Sequence, residues 1–148
     1  MKEKVNCSLK MKEEKMACLQ VYAWESQKWP RFLKVKLDVG QQKGLLFKLA
    51  RHFKVNEPML SYSHKRGANA KHSENGGAGS YEHRAWGSVI RLGSITTLGT
   101  LCHEFAHHLN WSRWRKGGHG RTFKRELKRT YTFAKRYLPS TLEPVATE

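Results

Sequence analysis

Polar and apolar positions alternate most cleanly over "FLKVKLDV". Leu33, Val35, Leu37 and Val39 fall on one face, and Lys34, Lys36 and Asp38 on the other. That period of two predicts a half-buried strand. Upstream, Met16, Leu19, Tyr22 and Ala23 recur at helical spacing and predict a helix from Glu14 to Lys28, ending before Pro30. The charged residues 1–13 are expected to be frayed. Downstream, Leu46, Leu49, Ala50 and Phe53 in "QQKGLLFKLARHFKV" predict a second helix despite the interior Gly44, and "PMLSYS" after Pro58 reads as a short strand.

The stretch from Lys65 to Gly79, "KRGANAKHSENGGAG", is polar and rich in glycine, as a surface loop would be. "SYEHRAWGSVIRLG" then predicts two strands meeting near Trp86 and Gly87, with Ile90 and Leu92 on an apolar face. Two helices follow, Ile95 to Asn110 and Arg121 to Leu138. The order gives an α+β class, with a small mixed or antiparallel sheet packed on helices. We expect a single domain over residues 14–140 and a short tail over 141–148.

The helix from Ile95 carries the chemistry. At 100° per residue, Ile95, Leu98, Leu101, Cys102, Phe105, Ala106 and Leu109 share one broad arc that should face the core. His103 and His107 are four residues apart on another face, as two ligands of one ion must be. Glu104 lies on their flank, and His108 falls far around the helix. In "HEFAH", two neutral imidazoles can grip zinc and leave positions open for water. Zinc brings the pKa of that water to about 7, and the glutamate can remove its proton and pass one to a leaving amine.

Two histidines cannot hold a metal alone, so the third ligand decides the class. The metzincin pattern HExxHxxGxxH is excluded, because Asn110 and Arg113 stand where glycine and histidine are required. Glu126 on the next helix could complete a thermolysin-like set. His119, between Gly118 and Gly120, competes with it, since glycines let the backbone turn a ring toward a metal.

"HEFAH", a glycine-rich turn, His119-Gly120 and Phe123 three residues beyond that glycine together resemble the SprT-like zinc metalloproteases, the group containing Spartan. The resemblance covers Ser80 to Leu127 and includes the strand "SVIRLG". It implies a compact zincin-like domain with His103, His107 and His119 holding Zn²⁺ and Glu104 as catalytic base. It also implies action on DNA-associated or DNA-crosslinked proteins. Family members often have proline after the His-Gly pair, where this chain has Arg121. Many also carry a C-terminal zinc ribbon, and this sequence has none. Targeting is then expected from the domain's own surface or from a partner.

Charge adds to that picture. The 28 Lys and Arg against 12 acids give a formal net charge of +16, which draws a protein toward polyanions such as DNA. Lys124, Arg125, Lys128, Arg129, Lys135 and Arg136 fall on one face of the last helix, opposite Phe123, Leu127, Tyr131, Ala134 and Leu138. A solvated face would look the same. Lys65, Arg66 and Lys71 could clamp phosphates. Trp111 and Trp114 could stack on unpaired bases or cover the zinc loop. Cys7, Cys18 and Cys102 show no zinc spacing and suit a reducing, intracellular compartment; no membrane partner is expected, and a monomer is.

A protease must also hold substrate. The strand from Trp86 to Leu92 could pair with an extended peptide. Tyr81, His83 and Arg121 are candidates for oxyanion stabilisation, while His52, His64 and His72 are expected on the surface. Two other functions fit the same residues: a zinc hydrolase of a non-protein amide, and a nucleic-acid-binding module with structural zinc.

Overall fold

The structure, a computed structural model, describes residues 2–62 and 79–137. Helix α1 (Lys2–Lys28) leads through a 3-10 turn (Pro30–Leu33) to strand β1 (Lys36–Leu37) and helix α2 (Val39–Phe53). Strands β2 (Met59–Tyr62), β3 (Ser80–Arg84), β4 (Gly87–Leu92) and β5 (Thr96–Thr97) follow. Helices α3 (Leu98–Trp114) and α4 (Arg121–Ala134) come next, and a 3-10 turn (Lys135–Tyr137) ends the described chain. The class is α+β. Among the described residues no helix is long and apolar enough to cross a membrane.

The alternating stretch forms far less strand than its pattern predicts. Pro30 opens a 3-10 turn at one end, and at the other Asp38 begins α2 with a reciprocal cap. Its carboxylate accepts from the Gln41 backbone N–H at 2.8 Å, and its own N–H donates to Gln41 Oε1 at 3.0 Å. This capping box takes Val39 into the helix. Alternation still governs burial, since Val35 and Leu37 are buried and Lys36 is exposed. Helix α1 starts at Lys2, so it includes residues read from their charge as frayed.

Strand β4 lies at the centre of a three-stranded sheet ordered β2-β4-β3. It runs parallel to β2, from Met59↔Val89 to Tyr62↔Leu92, and antiparallel to β3, from Ser80↔Arg91 to Arg84↔Gly87. The β3–β4 hairpin turns through Ala85 and Trp86 into Gly87, whose φ of +150° suits only glycine. Ile90 and Leu92 are buried as expected. With both edges of β4 occupied, a peptide cannot pair with Trp86–Leu92. The outer antiparallel strand is β3.

Two polar links fix the entry to α3. The amide of Gln42, fully buried on α2, donates to the carbonyls of Leu37 at 3.0 Å and Gly93 at 3.1 Å. The Thr97 hydroxyl accepts from the Thr100 N–H at 3.1 Å and caps α3. The helix therefore starts after Ile95, which is 59% exposed and lies outside the predicted core. Leu98, Leu101, Cys102, Phe105, Ala106 and Leu109 are buried as the wheel required, against Leu46, Leu49, Phe123, Leu127 and Tyr131.

We predict that Asp38→Ala lowers unfolding stability by about 1 kcal/mol in urea titration, the usual loss for a helix cap. The metal content of the folded protein should not change. An unshifted midpoint would mean that the capping box does not hold α2.

Candidate metal centre

His103 and His107 project from one face of α3, and His119 comes from the turn joining α3 to α4. Gly118 makes the turn possible: its φ is +78°, and a Cβ there would lie 2.9 Å from a carboxylate oxygen of Glu14. The three histidines form a metal-binding group whose ligand atoms all lie within 4.8 Å of one another. Nε2 of His119 is 3.2 Å from Nε2 of His103 and 3.2 Å from Nε2 of His107. Tetrahedral coordination at ~2.0–2.1 Å per nitrogen requires separations of about 3.3 Å. The spacing fits a metal ion.

The other ring nitrogens show why these atoms converge. His103 Nδ1 donates to Glu25 Oε2 at 3.0 Å, and His119 Nδ1 donates to Glu14 Oε1 at 3.1 Å. With the proton held on Nδ1, each Nε2 presents a lone pair inward, as a metal ligand must. Two facing lone pairs repel each other, and a cation between them removes the conflict. Glu25 is itself anchored, because its Oε1 accepts the Tyr131 hydroxyl at 2.8 Å. Phe123 forms an apolar floor, its ring centroid 4.2 Å from that of His107, 4.9 Å from His119 and 5.1 Å from His103.

Burial and like neighbours keep two of the rings ready to bind metal. Burial, with His103 and His119 beside it, lowers His107 to about 2, so its ring is neutral. Burial also lowers His119, against the upward pull of Glu14. For His103 burial acts downward, but the Glu25 hydrogen bond and charge outweigh it and the net shift is upward. Burial pushes the Glu104 carboxyl up to about 7, opposed by His103 and reinforced by Glu25. Gly79 packs closely on this side chain: a Cβ there would meet Glu104 Cγ at 2.7 Å.

Glu126 takes no part in the group. Its Oε1 accepts the Trp114 indole N–H at 3.3 Å and lies 3.7 Å from Arg129. His108 points away as predicted, with Nε2 donating to the Asn56 carbonyl. Cys102 is buried in the core as a free thiol, which burial raises well above its usual pKa. His52 is exposed, and its ring stacks on Phe133.

Two tyrosines bracket the histidines. Tyr22 of α1 stacks on His103 with centroids 5.0 Å apart and planes 4° from parallel. Tyr81 of β3 stacks on His107 at 6.0 Å, and its hydroxyl lies 2.8 Å from that of Ser88. Of the oxyanion candidates, Tyr81 is thus beside the centre. His83 packs 4.3 Å from Trp111, and Arg121 is exposed at the start of α4.

On α4, Arg125, Lys128, Arg129, Lys135 and Arg136 are exposed and Lys124 is partly buried, while Phe123, Leu127, Tyr131 and Ala134 are buried. Trp114 is bound through its indole to Glu126. Lys65, Arg66, Lys71, His64, His72 and Leu138 lie outside the described residues.

The sequence reading missed Glu14, Glu25 and Tyr131. A signal existed, because residues 14 and 25 are eleven apart, three helical turns that return to one face. Without the fold, nothing showed that this face meets the histidines.

His119→Ala should lose bound zinc while Glu126→Ala keeps it, as read by metal analysis after dialysis. Glu25→Gln should weaken zinc about 10–100-fold in chelator competition, the usual effect of removing a hydrogen-bond partner of a ligand. Equal zinc retention by His119→Ala and the parent would refute the assignment.

No family model matches the chain, and no curated protein or solved structure matches it either, so the functional reading rests on this donor set and its surroundings.

Proposed function

We propose that this chain is a zinc metallopeptidase of the SprT-like, zincin kind, hydrolysing DNA-bound or DNA-crosslinked proteins in a reducing intracellular compartment. The observation that carries this reading is the convergence of His103, His107 and His119 with a buried glutamate, Glu104, next in sequence to the first of them. Three protein ligands leave a tetrahedral metal one open position, the pattern of catalytic rather than structural zinc. Bound there, zinc supplies a Lewis acid that activates water and polarises a carbonyl.

The chain's own residues supply the rest. Glu104 takes the proton of the attacking water and returns it to the leaving nitrogen; a carboxyl held near pKa 7 can do both. Glu25 and Glu14 fix the ring orientations of His103 and His119. Among the described residues β3 pairs only with β4, so its outer edge can take an extended peptide alongside the Tyr81–His107 stack. Backbone pairing reads little sequence, which suits varied protein substrates. The charge of +16 and the exposed basic face of α4 support a DNA setting.

The two rival functions predict different behaviour. An amide hydrolase would keep Glu104-dependent chemistry but cleave no unfolded protein. A structural-zinc module would unfold without metal and be indifferent to Glu104. We expect the zinc-loaded protein to cleave a basic DNA-binding protein, faster with single-stranded DNA present. Glu104→Gln should retain zinc and lose at least about 100-fold in rate, the lower range for removing a general base. Undiminished cleavage by the variant would place the chemistry elsewhere.

A further inference from the structure

Beyond the C-terminal ends of α2 and α3 lies a cavity of about 620 Å³, within the roughly 300–1,000 Å³ typical of small-ligand sites. Its lining includes Trp86, Trp111, His83, Lys54 and Arg115, with Glu57 as its one carboxylate. From His107 the axis of α3 carries the chain past Trp111 to Arg115, about 12 Å at 1.5 Å per residue. The cavity is therefore near the metal centre but separate from it.

Two features of the lining point to its ligand. The first is charge. Lys54 and Arg115 are the left-handed C-caps of α2 and α3, with φ of 55° and 51°. They are the only non-glycine residues with positive φ among the described residues, and both face this cavity. Glycine occupies such caps without strain, whereas here a long cation stands at both, each held by backbone hydrogen bonds to the last turn of its helix. Helix-end complementarity does not require Lys54, because Arg113 Nη2 already donates to the Phe53 carbonyl at the end of α2, at 3.3 Å. Neither the Lys54 nor the Arg115 side chain makes a hydrogen bond or ion pair among the described residues.

The second feature is aromatic surface. Trp86 sits in the β3–β4 turn and is 60% exposed, so its ring face is open to a ligand. His83 and Trp111 form a ring pair beside it, with centroids 4.3 Å apart. Two buried polar atoms of the wall, Trp111 Nε1 and His108 Nδ1, have no partner among the described residues. Flat aromatic faces and two cations against the single carboxylate of Glu57 match a nucleotide unit: the base stacks, and the flanking phosphates meet Lys54 and Arg115.

We propose that this cavity binds a nucleotide of single-stranded nucleic acid, with the base stacked against Trp86 and its phosphates held by Lys54 and Arg115. The site does not depend on the peptidase reading. If that reading holds as well, the cavity secures the nucleic acid beside β3, where a crosslinked protein would enter.

The test is fluorescence anisotropy of a labelled oligothymidylate with the zinc-loaded full chain, over a range of salt. A duplex of equal length serves as the second probe; thymidine monophosphate and inorganic phosphate serve as competitors. Lys54→Gly and Arg115→Gly remove charge while relieving the backbone, so the fold should survive, as circular dichroism and zinc content would verify. Each should weaken single-strand binding about tenfold and reduce the salt slope by about 0.7, the value for one lost phosphate contact on a single strand. Trp86→Ala should weaken binding about tenfold at unchanged slope, with Trp86→Phe largely restoring it. Lys36→Ala, on the exposed side of β1, controls for general charge.

Wild-type binding by folded Lys54→Gly, Arg115→Gly and Trp86→Ala proteins would overturn the proposal. Equal affinity for duplex would also overturn it. So would competition by monophosphate or phosphate at the oligonucleotide's own binding concentration, which would identify a free-anion site.

Discussion

One buried carboxylate ties the candidate centre together. Glu25 is 4% exposed, yet both its oxygens are engaged, one by His103 of α3 and the other by the Tyr131 hydroxyl of α4. Three helices thereby meet at a single charged group. A hydrogen bond to such a buried carboxylate is typically worth about 1.5–3 kcal/mol, a sizeable part of a small domain's stability. The same contact fixes the proton on His103 Nδ1 and leaves Nε2 for the metal. Stability and the geometry of the candidate metal group therefore share one interaction, and α1 is part of that site rather than an appendage.

The sequence disclosed the parts of the site that obey helical periodicity. His103, Glu104 and His107 could be placed on one flank of α3, and His108 on the other, because a four-residue spacing on a regular helix leaves little freedom. His119 depended on a turn, and it was preferred to Glu126 through the resemblance; the fold shows Glu126 bonded to Trp114 and close to Arg129. Glu14 and Glu25 were invisible as ligand partners, since which helix face meets which is a tertiary fact.

The fold was legible to a similar degree and for similar reasons. Both strands of the β3–β4 hairpin, and helices α2, α3 and α4, follow from periodicity and turn residues. The alternation over residues 32–39 misled, because local caps at Pro30 and Asp38 overrode a pattern that the core nevertheless used for burial. The central position of β4 could not be read either: strand order is set by long-range pairing, on which an apolar strand pattern is silent. Correcting it makes β3, not β4, the antiparallel strand with an edge unpaired among the described residues. The hairpin's two ends then acquire different surroundings, with Tyr81 at the histidines and Trp86 at the cationic cavity.

The central claim is that three imidazoles, and no other side chain among the described residues, can hold a metal ion. Zinc-edge X-ray absorption on the zinc-loaded protein tests it most directly. The expected spectrum shows a first shell of light atoms at ~2.0–2.1 Å, with outer-shell scattering from three imidazole rings. A sulfur shell at ~2.3 Å, or scattering from only two rings, would contradict it.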